Sequence, residues 1–228
     1  MGNIAIIPAR SGSKGLKDKN IKELNGIPLI VYTIKCAIES GMFDCVFVST
    51  DSEKYAKIAE AYGADAHFLR SPQNSGDSAG SWDVVREVLK QFEGEGKKFD
   101  YIMLLQPTSP LRNTEDIRNS FEYMEAKGAN AIVSVTEVEH SPLWCNMLPE
   151  DLSMSEFYNE EVINTPRQEL ATYYRLNGAI YLLKKEELQN KKMFREKCYA
   201  YIMPRERSID IDTDMDFEIA KYLIINNR

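Results

Sequence analysis

An α/β fold built on a mostly parallel sheet is predicted by three features of the chain. Short apolar runs of strand length recur at residues 4–7, 45–50, 101–105, 131–135 and 179–183. Amphipathic stretches of helix length lie between them, several closed by a glycine such as Gly41, Gly63 or Gly128. Strand and helix patterns alternate with only one long break, which is the rhythm of a parallel sheet covered by helices on both faces.

The elements follow in order. Residues 4–7 form the first strand, which breaks at Pro8 into a loop of small residues carrying Arg10, Lys14, Lys17 and Lys19. Pro28 opens a helix that stops at Ser40-Gly41, and residues 45–50 form a second strand ending in Asp51. A helix over 52–62 and a short strand over 66–69 deliver Arg70 into the loop 71–80. A helix over 82–92, the strongly apolar strand 101–105 and a helix over 114–127 with Thr114 as its cap come next, then the strand 131–135. From 139 to 174 the rhythm fails, and Pro142, Pro149 and Pro166 suggest an excursion from the sheet. Strands at 179–183 and near 199–203 and a helix over 216–225 complete one domain, 1–228, with an inserted segment over 141–174.

Composition narrows the class. At 228 residues with 43% hydrophobic and 28% charged residues, the chain can bury a sizeable core and stay in solution. A net charge of −7 argues against nucleic acid as a partner and makes the basic loop after the first strand stand out. No apolar run approaches the roughly 18–20 residues that span a bilayer. The start has neither a charged n-region nor a long apolar core, so no secretory leader is expected. Gly2 could accept a myristoyl group, but the apolar run behind it reads better as a core strand. Cys36, Cys45, Cys145 and Cys198 have no C-x-x-C spacing and are expected as reduced thiols of a cytoplasmic protein.

In an open parallel sheet, ligands sit beyond the carboxyl ends of the strands. The loops at 10–20, Asp51, 70–81 and 106–112 all follow strands, so they converge on one cleft. Small residues allow close backbone approach and the cations meet negative charge, which suits a phosphorylated ligand; the bland alternative is a solvated basic turn. Gly12 and Gly15 fit neither the Walker A loop nor the G-x-G-x-x-G fingerprint.

In Asp210-Ile211-Asp212 an extended backbone turns both carboxylates to one side, a hard-oxygen site for Mg²⁺ beside a phosphate. The same stretch also reads as a helix start, with Asp214 and Asp216 assigned to capping. Arg167 and Arg175 suit carboxylate recognition, or serve as surface ion-pair partners. His67 and His140 are poorly placed for a base and read as core or surface histidines.

Ile7-Pro8-Ala9-Arg10, Ser13-Lys14-Gly15, Lys19-Asn20, the run Gln106-Pro107-Thr108-Ser109-Pro110-Leu111-Arg112, Asn177-Gly178-Ala179-Ile180-Tyr181 and Asp210-Ile211-Asp212-Thr213 keep a distinctive order. In these motifs the chain resembles the acylneuraminate cytidylyltransferases, the CMP-sialic acid synthetases of bacteria. The resemblance implies a Rossmann-like nucleotidyltransferase sheet and transfer of CMP from CTP to a nine-carbon 2-keto acid sugar, with release of pyrophosphate. N-acetylneuraminate is the first substrate it implies.

The resemblance also assigns residues. Arg10, Ser13, Lys19 and Asn20 would meet CTP, with Arg10 and Lys19 on the phosphates, and Arg70, Asp77 and Ser81 would form a second nucleotide loop. Gln106, Arg167, Asn177 and Tyr181 would bind the sugar, and Asp210 and Asp212 would hold Mg²⁺, with Mn²⁺ as a substitute. Arg10, Lys19, Asp210 and Asp212 would carry the catalysis, and the segment 141–174 would build a homodimer. Trp144 stands where such enzymes carry a lysine near the sugar, which keeps legionaminate and pseudaminate open as substrates. The octulosonate enzymes are a more distant fit, because their first loop follows a different pattern. A non-catalytic sugar- or nucleotide-binding protein would be expected to lose the acidic pair or Lys19, and both are present.

Overall fold

The computed structural model of the chain describes residues 2–12, 16, 18–76, 79–157, 164–189 and 193–226, with Arg167 by its backbone alone. β1 (Asn3–Pro8) leads through the small hairpin β2 (Glu23–Leu24) and β3 (Ile27–Pro28) into α1 (Leu29–Ser40) and β4 (Cys45–Ser49). The helices α2 (Glu53–Ala61), α3 (Pro72–Ser75) and α4 (Ser81–Gly94) precede β5 (Tyr101–Leu104). α5 (Thr114–Lys127), β6 (Ala131–Glu137), β7 (Tyr174–Lys184), β8 (Cys198–Ile202) and α6 (Asp214–Asn226) complete the fold.

The six large strands form one sheet in the order β4-β1-β5-β7-β6-β8. Every pairing is parallel except those of β7, which runs antiparallel to β5 and β6. Alternation along β1 builds a core on each face. Ala5 and Ile7 pack with residues of α1, α2 and α5, whereas Ile4 and Ile6 pack with Val85, Val88 and Phe92 of α4. A third cluster joins Leu16, Leu24 and Leu29 to Ile211, Phe217 and Ala220, tying the loop after β1 to the C-terminal segment. Among the described residues no helix is long and apolar enough to cross a membrane.

Several expectations need correction. Residues 66–69 form no strand; a single parallel bridge, Phe47↔Asp65, lies along β4, and Arg70 N then donates to Thr50 O. The Asp65 carboxylate accepts the His67 amide locally, which competes with a continued ladder. The cap of α5 is Asn113, not Thr114, because Asn113 and Asp116 exchange side-chain and backbone bonds in a capping box. At α6 the reciprocal bonds run between Thr213 and Asp216, while Asp214 pairs with Lys22 at 2.7 Å.

His67 is bracketed by two carboxylates, Asp65 at 2.5 Å and Glu95 at 2.7 Å. Burial works to lower its pKa, but the bonds to Glu95 and Asp65 outweigh it and raise it. A raised folded-state pKa adds stability that is complete below the unfolded value of about 6.5 and disappears as pH climbs through the folded value. Urea midpoints of the wild type should therefore fall as pH rises above about 6.5, and His67→Gln should flatten that slope. Parallel pH profiles for the two proteins would refute the clamp.

Candidate active site

The extended segment Asp210-Ile211-Asp212 is set by its middle residue. Ile211 is fully buried in the third core cluster, and Ile211 N donates to Thr108 O at 2.8 Å. With Ile211 turned inward, alternation aims both flanking carboxylates the other way. They face a cavity of about 290 Å³ at the carboxyl ends of β1, β4 and β5, lined also by Arg10, Lys19, Asn20, Arg70, Ser81, Gln106 and Thr108.

Lys19 crosses from the loop after β1 to this segment. Its ammonium donates to Ile211 O at 2.6 Å and to Asp212 Oδ1 at 2.9 Å. Asn20 is buried; its amide nitrogen donates to Arg10 O at 3.1 Å, and its Oδ1 has no protein partner. Asp210 Oδ1 is likewise buried without a partner. Burial pushes the Asp210 pKa up, with the Asp212 charge adding to it and Thr108, Lys19 and Arg175 opposing it. An unpartnered carboxylate oxygen, next to a second acid and disfavoured in its charged form, is a fit for a divalent cation. Among the described residues no cluster of three or more His, Cys, Asp or Glu could hold a metal by itself. Two carboxylates plus substrate phosphates is how Mg²⁺ is often held.

Arg70 is the most buried of the described cations that line the cavity. Its guanidinium donates to Ser49 O at 2.7 Å and Ser49 Oγ at 3.1 Å, and burial lowers its pKa to about 10 against the pull of Asp51 and Glu87. Glu87 in turn accepts Ser71 N at 2.8 Å and Asn74 Nδ2 at 2.6 Å, holding the loop that Arg70 enters.

β7 reaches the site by a bulge. Val133 pairs with Tyr181 and Val135 with Leu176, so Ser134 alone stands opposite residues 177–180. The Ser134 hydroxyl accepts from Ile180 N at 2.7 Å and donates to Asn177 Oδ1 at 2.6 Å. The bulge turns on Gly178 at φ +73°, where a Cβ would collide with the Gln106 amide and lie 3.7 Å from Asp210. Only glycine fits both the backbone and the space.

Of the residues assigned from sequence, Arg10, Lys19, Asn20, Arg70, Ser81, Gln106, Asp210 and Asp212 meet in this one cavity. Asn177 is buried away from it, with its amide engaged by Ser134, by Ser208 Oγ at 2.9 Å and by Ala179 N. Tyr181 is half-buried beside Trp82 and Phe194, close enough for the Asp210 charge to join burial in raising its pKa. Ser13, Lys14, Gly15, Lys17 and Asp77 and the side chain of Arg167 lie outside the described residues.

Sequence reasoning placed Asp51 at the cleft without a specific role; it accepts Ser11 N at 2.7 Å and Ser11 Oγ at 2.9 Å and so anchors the loop carrying Arg10. The signal was its place at the end of a strand on the ligand edge. Thr108, Glu87 and Gly178 carried no individual signal, since each acts through a neighbour that only folding supplies.

Clustered cations, unpartnered oxygens and strand ends on one edge of an α/β sheet are features that suit a phosphorylated ligand. A solved structure of CMP:2-keto-3-deoxy-manno-octonic acid synthetase complexed with CTP aligns over 100% of both chains with a TM-score of 0.74 and 17% identity, a likeness of fold alone. Residues 4–223 match the family described as cytidylyltransferase, and the chain belongs to that family. An N-acylneuraminate cytidylyltransferase of Streptococcus agalactiae serotype V is 42% identical over 95% of this chain and 52% of its own length. A CMP-N,N'-diacetyllegionaminic acid synthase of Legionella pneumophila is 35% identical over 99% of this chain and 97% of its own. The chain thus spans about half the length of the streptococcal relative.

Gly178→Ala should cost about 1–2 kcal/mol for the left-handed backbone alone, with the Gln106 contact added. A denaturant midpoint equal to that of the wild type would show that the bulge can relax.

Proposed function

We propose that this chain transfers CMP from CTP to the anomeric hydroxyl of a nine-carbon 2-keto acid sugar. The observation that carries the reading is the convergence of Arg10, Lys19 and Arg70 with Asp210 and Asp212 on one cavity, in a chain of the cytidylyltransferase family. In the reaction the sugar 2-hydroxyl oxygen bonds to the α-phosphorus. The bond from that phosphorus to the bridging oxygen breaks and pyrophosphate leaves. Arg10, Lys19 and Arg70 are fixed positive charges beside the cavity, suited to the negative charge that grows on the leaving group. Asp210 and Asp212 would hold Mg²⁺ (or Mn²⁺), which when bound lowers the charge of the triphosphate oxygens. Among the described residues that line the cavity there is no histidine, and the Asp210 and Asp212 carboxylates are the basic groups there.

Asn177 is better read as a brace than as a sugar contact, since its amide is already engaged within the protein. Arg167 and Tyr181 remain the proposed sugar ligands with Gln106, and Ser13, Asn20, Asp77 and Ser81 the proposed nucleotide ligands beside Arg10 and Arg70. N-acetylneuraminate is the first candidate sugar. Trp144, half-exposed in the 3₁₀ turn Pro142–Trp144, keeps a legionaminate or a pseudaminate as the second reading, and the Legionella relative's nearly full-length match supports the former. The inserted segment carries Met147 at 88% and Leu152 at 69% exposure, apolar surface that suits a homodimer contact. Reduced Cys36, Cys45, Cys145 and Cys198 suit the cytoplasm.

A pyrophosphate assay with CTP and Mg²⁺ should respond to N-acetylneuraminate or a legionaminate, tested beside a pseudaminate and an octulosonate. Silence with all four sugars overturns the reading. Asp212→Asn should still bind CTP but release pyrophosphate at least about a hundredfold more slowly, because even residues one step behind a metal cost 10–100-fold when removed. Near-normal turnover in that variant would refute the cation assignment. Light scattering should return a dimer, and Met147→Asp with Leu152→Asp should return a monomer; an unchanged dimer would place the contact elsewhere.

A further inference from the structure

We propose that the ion pair between the buried Asp116 and the partly exposed Arg207 is a positioning element for the segment that presents Asp210 and Asp212; the inference rests on the cytidylyltransferase reading of that site.

Residues 208–213 belong to no helix or strand, so their backbone must be held from outside. On the C-terminal side the bonds between Thr213 and Asp216 and the packing of Phe217 and Ala220 do this. On the N-terminal side the chain leaves β8 and passes through the 3₁₀ turn Arg205–Arg207. Arg205 reaches only an exposed partner, Glu139, at 3.1 Å. Arg207 instead makes a two-pronged contact with Asp116, Nε to Oδ2 at 3.0 Å and Nη2 to Oδ1 at 2.8 Å. A planar fork on a carboxylate fixes direction as well as distance.

The acceptor is itself immobilised. Asp116 is fully buried, and its two oxygens also receive Asn113 N at 3.1 Å and the Tyr201 hydroxyl at 3.3 Å. Helix α5 and strand β8 therefore both set where Arg207 must lie. The hydrogen bond to Asp116 raises the Arg207 pKa, in keeping with a pair that stays charged. The next residue, Ser208, is buried; its hydroxyl donates to Pro204 O at 2.8 Å and accepts from Asn177 Nδ2 at 2.9 Å. Asp210 follows two residues later, within about 10 Å of Arg207 by the reach of the chain. An orientation error at Arg207 is passed on over that short span, and cation binding tolerates little displacement of its carboxylates.

A pair that merely stabilised α5 would also cost stability when broken, because it leaves a buried charge without its partner. Thermal stability therefore does not separate the two roles. Arg207→Lys keeps the charge and loses the fork, Asp116→Asn removes the charge, and Tyr201→Phe keeps the ion pair and removes one orienting bond. Tyr201→Phe is the mildest change and secures a folded variant. Each would be examined by amide hydrogen exchange and by Mn²⁺ titration in the presence of a non-hydrolysable CTP analogue. The expected result is faster exchange at residues 209–212 and Mn²⁺ affinity weakened on the order of tenfold in Arg207→Lys and Asp116→Asn. Tyr201→Phe should shift both in the same direction by less. Wild-type exchange at 209–212 with unchanged Mn²⁺ affinity in all folded variants would overturn the proposal. Wild-type protein that binds neither the analogue nor Mn²⁺ would overturn the cytidylyltransferase reading instead, and the exchange data would still decide the role of the pair.

Discussion

The site depends on the burial of one isoleucine between two aspartates. Ile211 has no exposed surface, and removing a side chain of that size from water is worth about 1.5–3 kcal/mol. That gain is tied to one register of an extended segment, because a slip of one residue would bury a carboxylate and expose the isoleucine. The burial of unpaired charge makes such a slip still more costly. The direction of Asp210 and Asp212 is thus enforced by an apolar contact with Leu16, Leu24, Leu29 and Phe217.

The same cluster explains why the loop after β1 and the C-terminal segment act together. Leu16 and Ile211 share one core, and Lys19 bridges the two backbones by bonding both Ile211 O and Asp212. The cationic and acidic halves of the cavity, some 190 residues apart in the chain, are consequently parts of one packed unit. Asp51 and Arg70 do comparable work at the far wall, where Asp51 pins Ser11 and Arg70 closes on Ser49.

The antiparallel β7 gives the sheet its departure from a simple parallel pattern. A parallel strand offers its end to the ligand edge, but β7 offers its beginning, and Tyr181 lies opposite Leu104 for that reason. The bulge against Ser134 then moves Gly178 towards Gln106 and Asp210 while Asn177 braces Ser208 beneath. A single irregularity in the sheet connects the middle of the domain to the carboxylate segment.

The α/β class, the strand ends on which ligands gather and the Asp210–Asp212 spacing were legible in the amino-acid order. They follow from local periodicity, and periodicity is a property of neighbours in the chain. Arg10, Lys19 and Gln106 could be placed on the ligand edge because each lies in a loop that follows a strand, and the resemblance gave them their roles; Arg70 was expected behind a strand that does not form. Tertiary structure decided what depended on distant partners. It withheld a strand from 66–69, reversed β7 and gave the α5 cap to Asn113. It also drew Asn177 inward, and it paired Asp116 with Arg207 across 91 positions. Hydrogen-bond satisfaction and burial choose among such partners, and both are set only when the chain has closed on itself.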